Sequence, residues 1–354
     1  MSIKKHHLDL KNGVVDLSHG SGGRATSQLI EEIFLKAFDN PLLRQGDDAC
    51  VIPTDIQNIG SVSSKRLVVT TDAHVVSPLF FPGGDIGSLS INGTINDVAM
   101  SGATPLYVTA SFILEEGFPL SLLKEIVNSM AAAARLAGVQ VVAGDTKVVE
   151  KGKGDGLFIS TTGIGYVDKA ININGRNARV GDVIIVSGTI GDHGVAVLSK
   201  RESLSFGTQV VSDSASLNKL VESILFAAPK GVHVLRDPTR GGLGIALNEI
   251  AHQSNVGMIL QENSLPVLPQ VSAACELLGL DPLYVANEGK LIAICDPIHA
   301  EIILATMRSH TLGAGAAIIG VVIEDANNFV QMTTSMGGKR MVDWLNAEQL
   351  PRIC

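Results

Sequence analysis

Residues 121–147 read SLLKEIVNSMAAAARLAGVQVVAGDTK, and this stretch decides the fold class. Leu122, Ile126, Met130 and Ala133 recur at helical spacing on one face, which predicts a helix over 121–137. Gly138 is placed to end it. The apolar run Val139–Ala143 that follows reads as a buried strand and stops at Gly144-Asp145-Thr146-Lys147. A helix feeding directly into a strand, recurring along a chain, belongs to the α/β and α+β classes.

The same alternation extends both ways. Leu67–Thr71, Tyr107–Leu114 and Leu157–Val167 read as strands before residue 168, and Val183–Ser187, Val256–Leu260, Leu291–Cys295 and Ala316–Ile323 as strands after it. Helical patterns are predicted near 216–228, 243–253, 269–278 and 298–308, with a glycine turn at Gly188–Gly194. The segment Thr54–Lys65 is polar and reads as a loop or hairpin. The polar stretch Asp168–Asp182 is the candidate domain boundary, which divides the chain into 1–168, 169–344 and a tail, 345–354. No strict internal repeat is found. A 354-residue chain accommodates two domains on the usual scale of about 150 residues each. Fully extended, the tail reaches roughly 30 Å at ~3.3 Å per residue.

Composition narrows the function. A net charge of −8 with no basic block argues against a nucleic-acid partner. A polyanion such as ATP would then need a metal ion, a helix N-terminus or a glycine nest to bind. Met1–Leu10 carries Lys4 and Lys5 with no apolar segment behind them and is not read as a secretory leader. The longest apolar runs fall short of the ~20 residues that span a bilayer. Cys50, Cys275, Cys295 and Cys354 form no C-x-x-C pair, so reduced thiols in the cytoplasm are expected.

Four constellations could carry chemistry. Asp47, Asp48, Asp72, Asp85, Asp97 and Asp145 lie beside small residues, several at apparent strand ends, where carboxylates suit hard cations that bridge phosphates. Asp and Gly also simply make turns, and the two readings stand side by side for each segment. His19-Gly20-Ser21-Gly22-Gly23-Arg24 precedes a helical stretch, Ala25–Phe38, and is either a phosphate lid or a turn; it lacks the Gly-Lys-Ser/Thr of a Walker sequence. Lys147 and Glu288 each edge an apolar stretch, where a cleft places an acid or base, although most Lys and Glu residues are solvated surface charges. Cys354 is the last residue, whereas the prenylation motif puts its cysteine fourth from the end, and it is either a carrier thiol or incidental.

Together these segments resemble the carbamoyl dehydratases of nickel–iron hydrogenase maturation, the HypE family. The likeness runs from His19-Gly20-Ser21-Gly22-Gly23 through Pro78-Leu-Phe-Phe-Pro-Gly-Gly-Asp-Ile-Gly87, Asn96-Asp97-Val98-Ala99, Gly144-Asp-Thr-Lys-Val-Val-Glu150 and Gly191-Asp192-His193-Gly194. It continues through Asp237-Pro-Thr-Arg-Gly-Gly-Leu243 and Ala286-Asn-Glu-Gly-Lys290 to the terminal Pro351-Arg352-Ile353-Cys354. The acidic and glycine motifs are common to the wider superfamily of aminoimidazole ribonucleotide synthetase, thiamine-phosphate kinase and selenophosphate synthetase. The terminal Pro-Arg-Ile-Cys with Gly-Asp-Thr-Lys is more specific.

The resemblance implies a two-domain PurM-like ATPase fold of mixed α/β (α+β) class with a flexible C-terminal tail. It implies a homodimer formed through the N-terminal domain with ATP near the subunit interface. It assigns ATP binding to His19, Gly20, Gly22, Gly23, Asp72, Asn96, Asp97, Asp145 and Thr146. Magnesium goes to Asp47, Asp48, Asp72 and Asp97, and catalysis to Cys354, Lys147 and Glu288, with Lys147 beside Glu288. The activity implied is ATP-dependent dehydration of a carboxamide on Cys354 to a thiocyanate. The carbamoyl group would come from the carbamoyltransferase HypF and the cyanide would pass to a HypC–HypD complex. The alternative is another ATP-using synthetase or kinase of the superfamily, with Cys354 incidental.

Overall fold

The computed structural model describes residues 24–34, 44, 47, 49–52, 64–203, 209–345 and 350–354. His19, Gly20, Gly22, Gly23, Asp48 and most of Thr54–Lys65 lie outside the described residues. Helix α1 (Arg24–Leu29) opens the described chain and runs into a π turn, Ile30–Phe34.

The first sheet is built from β1 (Cys50–Ile52), β2 (Lys65–His74), β5 (Thr104–Glu115), β6 (Gln140–Val149) and β7 (Leu157–Asp168), in the order β1-β2-β7-β5-β6. A short hairpin, β3 (Phe80–Phe81) and β4 (Gly84–Asp85), lies between β2 and helix α2 (Ile86–Met100). Helix α3 (Leu120–Ala137) follows the predicted pattern, burying Ile126, Met130 and Ala133, and Gly138 caps it in the left-handed region at φ 75°. Helix α2 was not foreseen. It is buried on nearly all sides, so it shows no amphipathic stripe to find. Asp85, one of the acidic candidates, is its N-cap and accepts from the Gly87 and Ser88 amides, so here the turn-maker reading holds.

Alternation along β2 sends Val68, Thr70, Asp72 and His74 toward α2 and the intervening residues to the opposite face. The α2 helix approaches β7 closely. A Cβ on Gly163 would lie 2.8 Å from Thr94 and 2.9 Å from Val98, so only glycine lets the helix settle there. The expectation of a buried strand after Gly138 is corrected. β6 is an edge strand exposed along almost its whole length, with Val142 and Val148 open to solvent. It pairs only with β5 in the single chain, so its apolar run has no second layer to bury it.

The second sheet comprises β8 (Val183–Val186), β9 (Val232–Arg236), β10 (Gly257–Gln261), β11 (Ile292–Cys295), β12 (Ala317–Ile323), β13 (Val330–Thr333) and β14 (Lys339–Met341). Their order is β14-β13-β10-β12-β8-β11-β9. Ile184, Val186, Ile292 and Ile294 join one apolar cluster with Leu243, Leu247 and Ile250 of helix α6 (Gly242–Ser254). Ile185, Ala293 and Cys295 point the other way, onto helices α5 (Asn218–Ala227) and α8 (Ala300–Ser309). This period of two on a sheet covered on both faces explains why these strands read as continuous apolar runs. The stretch read as a glycine turn ends in helix α4 (Asp192–Arg201), and helix α7 (Pro269–Leu278) forms as predicted. No described helix is long and apolar enough to cross a membrane.

Candidate functional site

The inner face of the first sheet ends in Asp72 and His74, and α2 lies across it with Gly93, Asn96 and Asp97. An ideal Cβ built on Gly93 would meet Asp72 Oδ2 at 3.4 Å, His74 Cε1 at 3.4 Å and Glu288 Oε2 at 3.9 Å. Three polar side chains from two distant parts of the sequence, Asp72 and His74 on β2 and Glu288, thus converge on one point. Asp97 Oδ2 accepts from Thr70 Oγ1 at 2.9 Å, one alternation step before Asp72.

Glu288 is 3% exposed, and its Oε1 has no hydrogen-bond partner among the described residues. Burial pushes its carboxyl well above the usual range; Asp237, Asp72 and Asp213 add to this and Arg240 opposes it. Its main chain is pinned: its N–H donates to Asp213 Oδ1 at 3.0 Å, and Lys290 Nζ donates to Asp213 Oδ2 at 3.1 Å. The Arg240 guanidinium is held charged by Cys354 first, then by Asp72, Glu288 and Asp97. Beside it a cavity of about 170 Å³ is lined by Arg236, Asp237, Thr239, Arg240 and Glu249. Burial pushes the Asp237 carboxyl up to about 6. Burial also lowers the His74 pKa, leaving a neutral ring 3.2 Å from Thr161 Oγ1.

The chain's end reaches this cleft. The Cys354 carbonyl accepts from the Val75 amide at 3.0 Å, directly after the strand carrying Asp72 and His74. Ile353 is buried in the cluster under α2, and Cys354 packs against it. Truncation of the tail would therefore remove core contacts, which an unpatterned sequence did not foretell.

The predicted residues thus divide. Asp72, Asp97, Glu288 and Cys354 come together around Arg240. Asn96 makes structural contacts. It is 1% exposed, its amide donates to the Ala215 and Glu288 carbonyls, and its Oδ1 accepts from the Leu217 amide. It fastens α2 to the Glu288 loop. Asp47 is held by the Gly175 amide at 2.8 Å and raised by burial, with Arg236 and Arg176 opposing.

Asp145, Thr146 and Lys147 stand apart. The Lys147 ammonium lies 2.6 Å from Asp145 Oδ2 on the exposed edge strand, and this contact lowers the Asp145 pKa. The expectation that Lys147 sits beside Glu288 is corrected for the single chain: β6 is three strands from β2, about 14 Å at the usual strand spacing. Among the described residues no three His, Cys, Asp or Glu side chains form a metal cluster by themselves.

Asp237 and Arg240 lie within the Asp237–Leu243 motif, and His74 lies two residues after Asp72, but the sequence gives none of the three a role. Alternation with Asp72 was the available signal for His74. Nothing local announces that Asp237 and Arg240 face a strand more than 160 residues earlier.

The models of the AIR synthase related protein family match at residues 46–167 for the N-terminal domain and 179–333 for the C-terminal domain. The carbamoyl dehydratase HypE of Cupriavidus necator is 64% identical over 98% of this chain and 97% of its own length. A crystal structure of the hydrogenase maturation protein HypE in complex with ATP is 48% identical, with a TM-score of 0.79 over 96% of this chain and 100% of that one. A HypE–HypF complex contains a chain 48% identical, with a TM-score of 0.83 over 90% of this chain and 99% of that one. A fold of two AIR-synthase-related halves, with a cysteine-ended tail lying in an acidic cleft, has these proteins as its kin, and the chain belongs to the carbamoyl dehydratase HypE family of hydrogenase maturation enzymes.

Proposed function

We propose that the chain uses ATP to dehydrate a carboxamide carried on Sγ of its own Cys354, giving the thiocyanate that supplies cyanide to a nickel–iron hydrogenase. The observation that carries this is the seating of the terminal residues against the strand end that bears Asp72, with Glu288 and Arg240 close by.

The amide oxygen attacks the γ-phosphorus of ATP and ADP leaves. The carbon–oxygen bond then breaks with phosphate as leaving group, and the nitrogen gives up both protons as the C≡N bond forms. One proton ends on phosphate and the other is released. Glu288 takes a proton from nitrogen: its burial makes it a stronger base than an exposed glutamate, and its Oε1, without a partner among the described residues, is available. Burial also keeps water from the activated carbon. Arg240 balances the charge of Asp72, Glu288 and Cys354. The carboxylates fit magnesium chemically, since that ion takes oxygen ligands and completes its shell with water and phosphate. Asp72 and Asp97, with Asp47 or Asp48, would hold it, and it would neutralise charge on the transferred phosphoryl group.

The chain acts as a homodimer in this reading. The face of the first sheet opposite α2 and α3 exposes Tyr107 and Ile113, and the neighbouring edge strand exposes Val141, Val142 and Val148. Burying this face against a second copy would bring Asp145, Thr146 and Lys147 of that copy toward the site. The domains divide near residue 168, in the cytoplasm HypF donates the carbamoyl group, and a HypC–HypD complex accepts the cyanide. Intact-mass measurement with a carbamoyl donor system tests the core of this. Cys354 should gain one carbamoyl group and then lose one water only when ATP is present. Phosphorylation of a small molecule at full rate by Cys354→Ala would replace this reading with a kinase.

A further inference from the structure

The last residues are held by their main chain, and the groove that holds them is built into the body of the fold. The Val75 amide donates to the Cys354 carbonyl at 3.0 Å and the Ser77 amide to the Arg352 carbonyl at 3.1 Å. Arg201, at the end of α4, spreads its guanidinium between the two segments. Its Nε donates to the Ser77 carbonyl, Nη1 to the Pro351 carbonyl and Nη2 to the Arg352 carbonyl, each at 2.7 Å. Nε2 of His193, in the first turn of α4, lies 2.7 Å from the Ile353 carbonyl. A carbonyl can only accept, so Nε2 carries the hydrogen. Nδ1 then accepts from Ser212 Oγ at 2.7 Å, and that oxygen accepts from the Ser214 amide at 3.1 Å. The ring is fully buried, which favours this neutral form.

A main-chain oxygen of each residue from Pro351 to Cys354 is therefore satisfied by a donor from the body. Side chains add the apolar anchor Ile353, which is 3% exposed, an ion pair between Arg352 and Asp155, and a hydrogen bond from Arg352 Nε to the Val75 carbonyl at 3.2 Å. Arg352 adopts φ 55°, a conformation uncommon outside glycine that external contacts must sustain.

We infer that Val75–Ser77, His193 and Arg201 form a recognition groove for a C-terminal peptide with an apolar penultimate residue, in which Arg201 and His193 are positioning residues that fix the register of Cys354 Sγ. Its occupant is the chain's own tail, residues 350–354. The consequence for catalysis rests on the dehydratase reading, whereas the docking itself does not.

The test uses the full chain, without ATP or carbamoyl donor, so docking and dehydration fail separately. Thiols are labelled over time with N-ethylmaleimide and mapped by mass. Buried Cys275 and Cys295 report global unfolding. Arg201→Ala should label Cys354 at least roughly tenfold faster, as expected for losing hydrogen bonds from a charged donor. Arg201→Lys should fall between, and Cys275 and Cys295 should stay protected. An unchanged Cys354 rate in Arg201→Ala overturns the inference. If that variant also labels Cys275, the unaltered chain decides. Excess Leu-Pro-Arg-Ile-Ser peptide should speed its Cys354 labelling by competing for the groove, and the reversed peptide should not. Equal effects of the two peptides, or none from either, overturn the inference.

Discussion

Gly93→Ala separates the site from the fold. Gly93 lies buried inside α2, and the added methyl would stand 3.4 Å from Asp72 Oδ2 and His74 Cε1 and 3.9 Å from Glu288 Oε2. These are ordinary contacts, so the packing need not move. A glycine inside a helix costs about 0.8–1.0 kcal/mol relative to alanine. Unfolding a 354-residue chain has an entropy of roughly 0.7 kcal/mol per kelvin. The substitution should thus raise Tm by about 1 °C. Yet the methyl occupies the point where three polar side chains converge and displaces whatever group they handle. Turnover should fall roughly 10²-fold, as for a reacting group misplaced by about 1 Å. Circular dichroism follows the melt, and single-turnover nitrile formation the chemistry. Full activity would place the reaction elsewhere, and a Tm lowered by several degrees would show a packing role for the glycine.

Glu288→Gln should slow dehydration ~10²–10⁴-fold while carbamoyl acceptance persists, as read by mass. Its pH dependence has a defined sign. A buried carboxyl with a raised pKa stabilises the fold below its unfolded value and loses that contribution as pH rises through the folded pKa. Glu288→Gln should therefore melt higher than the parent at neutral pH, with the gain vanishing below about pH 4. The parent's rate should rise with pH along a limb shifted above that of an ordinary glutamate. Mixing Lys147→Ala with Glu288→Gln should restore about a quarter of parental activity if two-fold symmetry builds each site from both copies; no recovery would confine the site to one chain. Ile353→Ala should weaken tail docking by about 2 kcal/mol or more and speed Cys354 labelling, since a buried anchor is removed.

Much of the fold is legible in the sequence. Periodicity identified α3 with its glycine cap, where one face of the helix meets solvent. β8, β10, β11 and β12 of the second sheet read correctly as apolar runs because helices cover both of its faces, whereas β9, β13 and β14 went unread. Asp72, Asp97, Glu288 and Cys354 were singled out through their motifs. α2 escaped notice because a helix buried all round has no polar stripe, and β6 misled because its apolar run implies a second layer that one chain does not supply.

The sequence by itself determined the local elements, the family motifs and the chemical identity of the candidate groups. Only the tertiary structure decided which of them meet. It set Glu288 opposite Asp72 across Gly93, assigned Asn96 to a loop contact, removed Lys147 to an outer edge and laid the tail between Arg201 and Val75. The reason is physical. Periodicity records which face of an element is buried, whereas partners more than a hundred residues apart are chosen by strand order, sheet register and the close approach of helices, and these leave no local trace in composition.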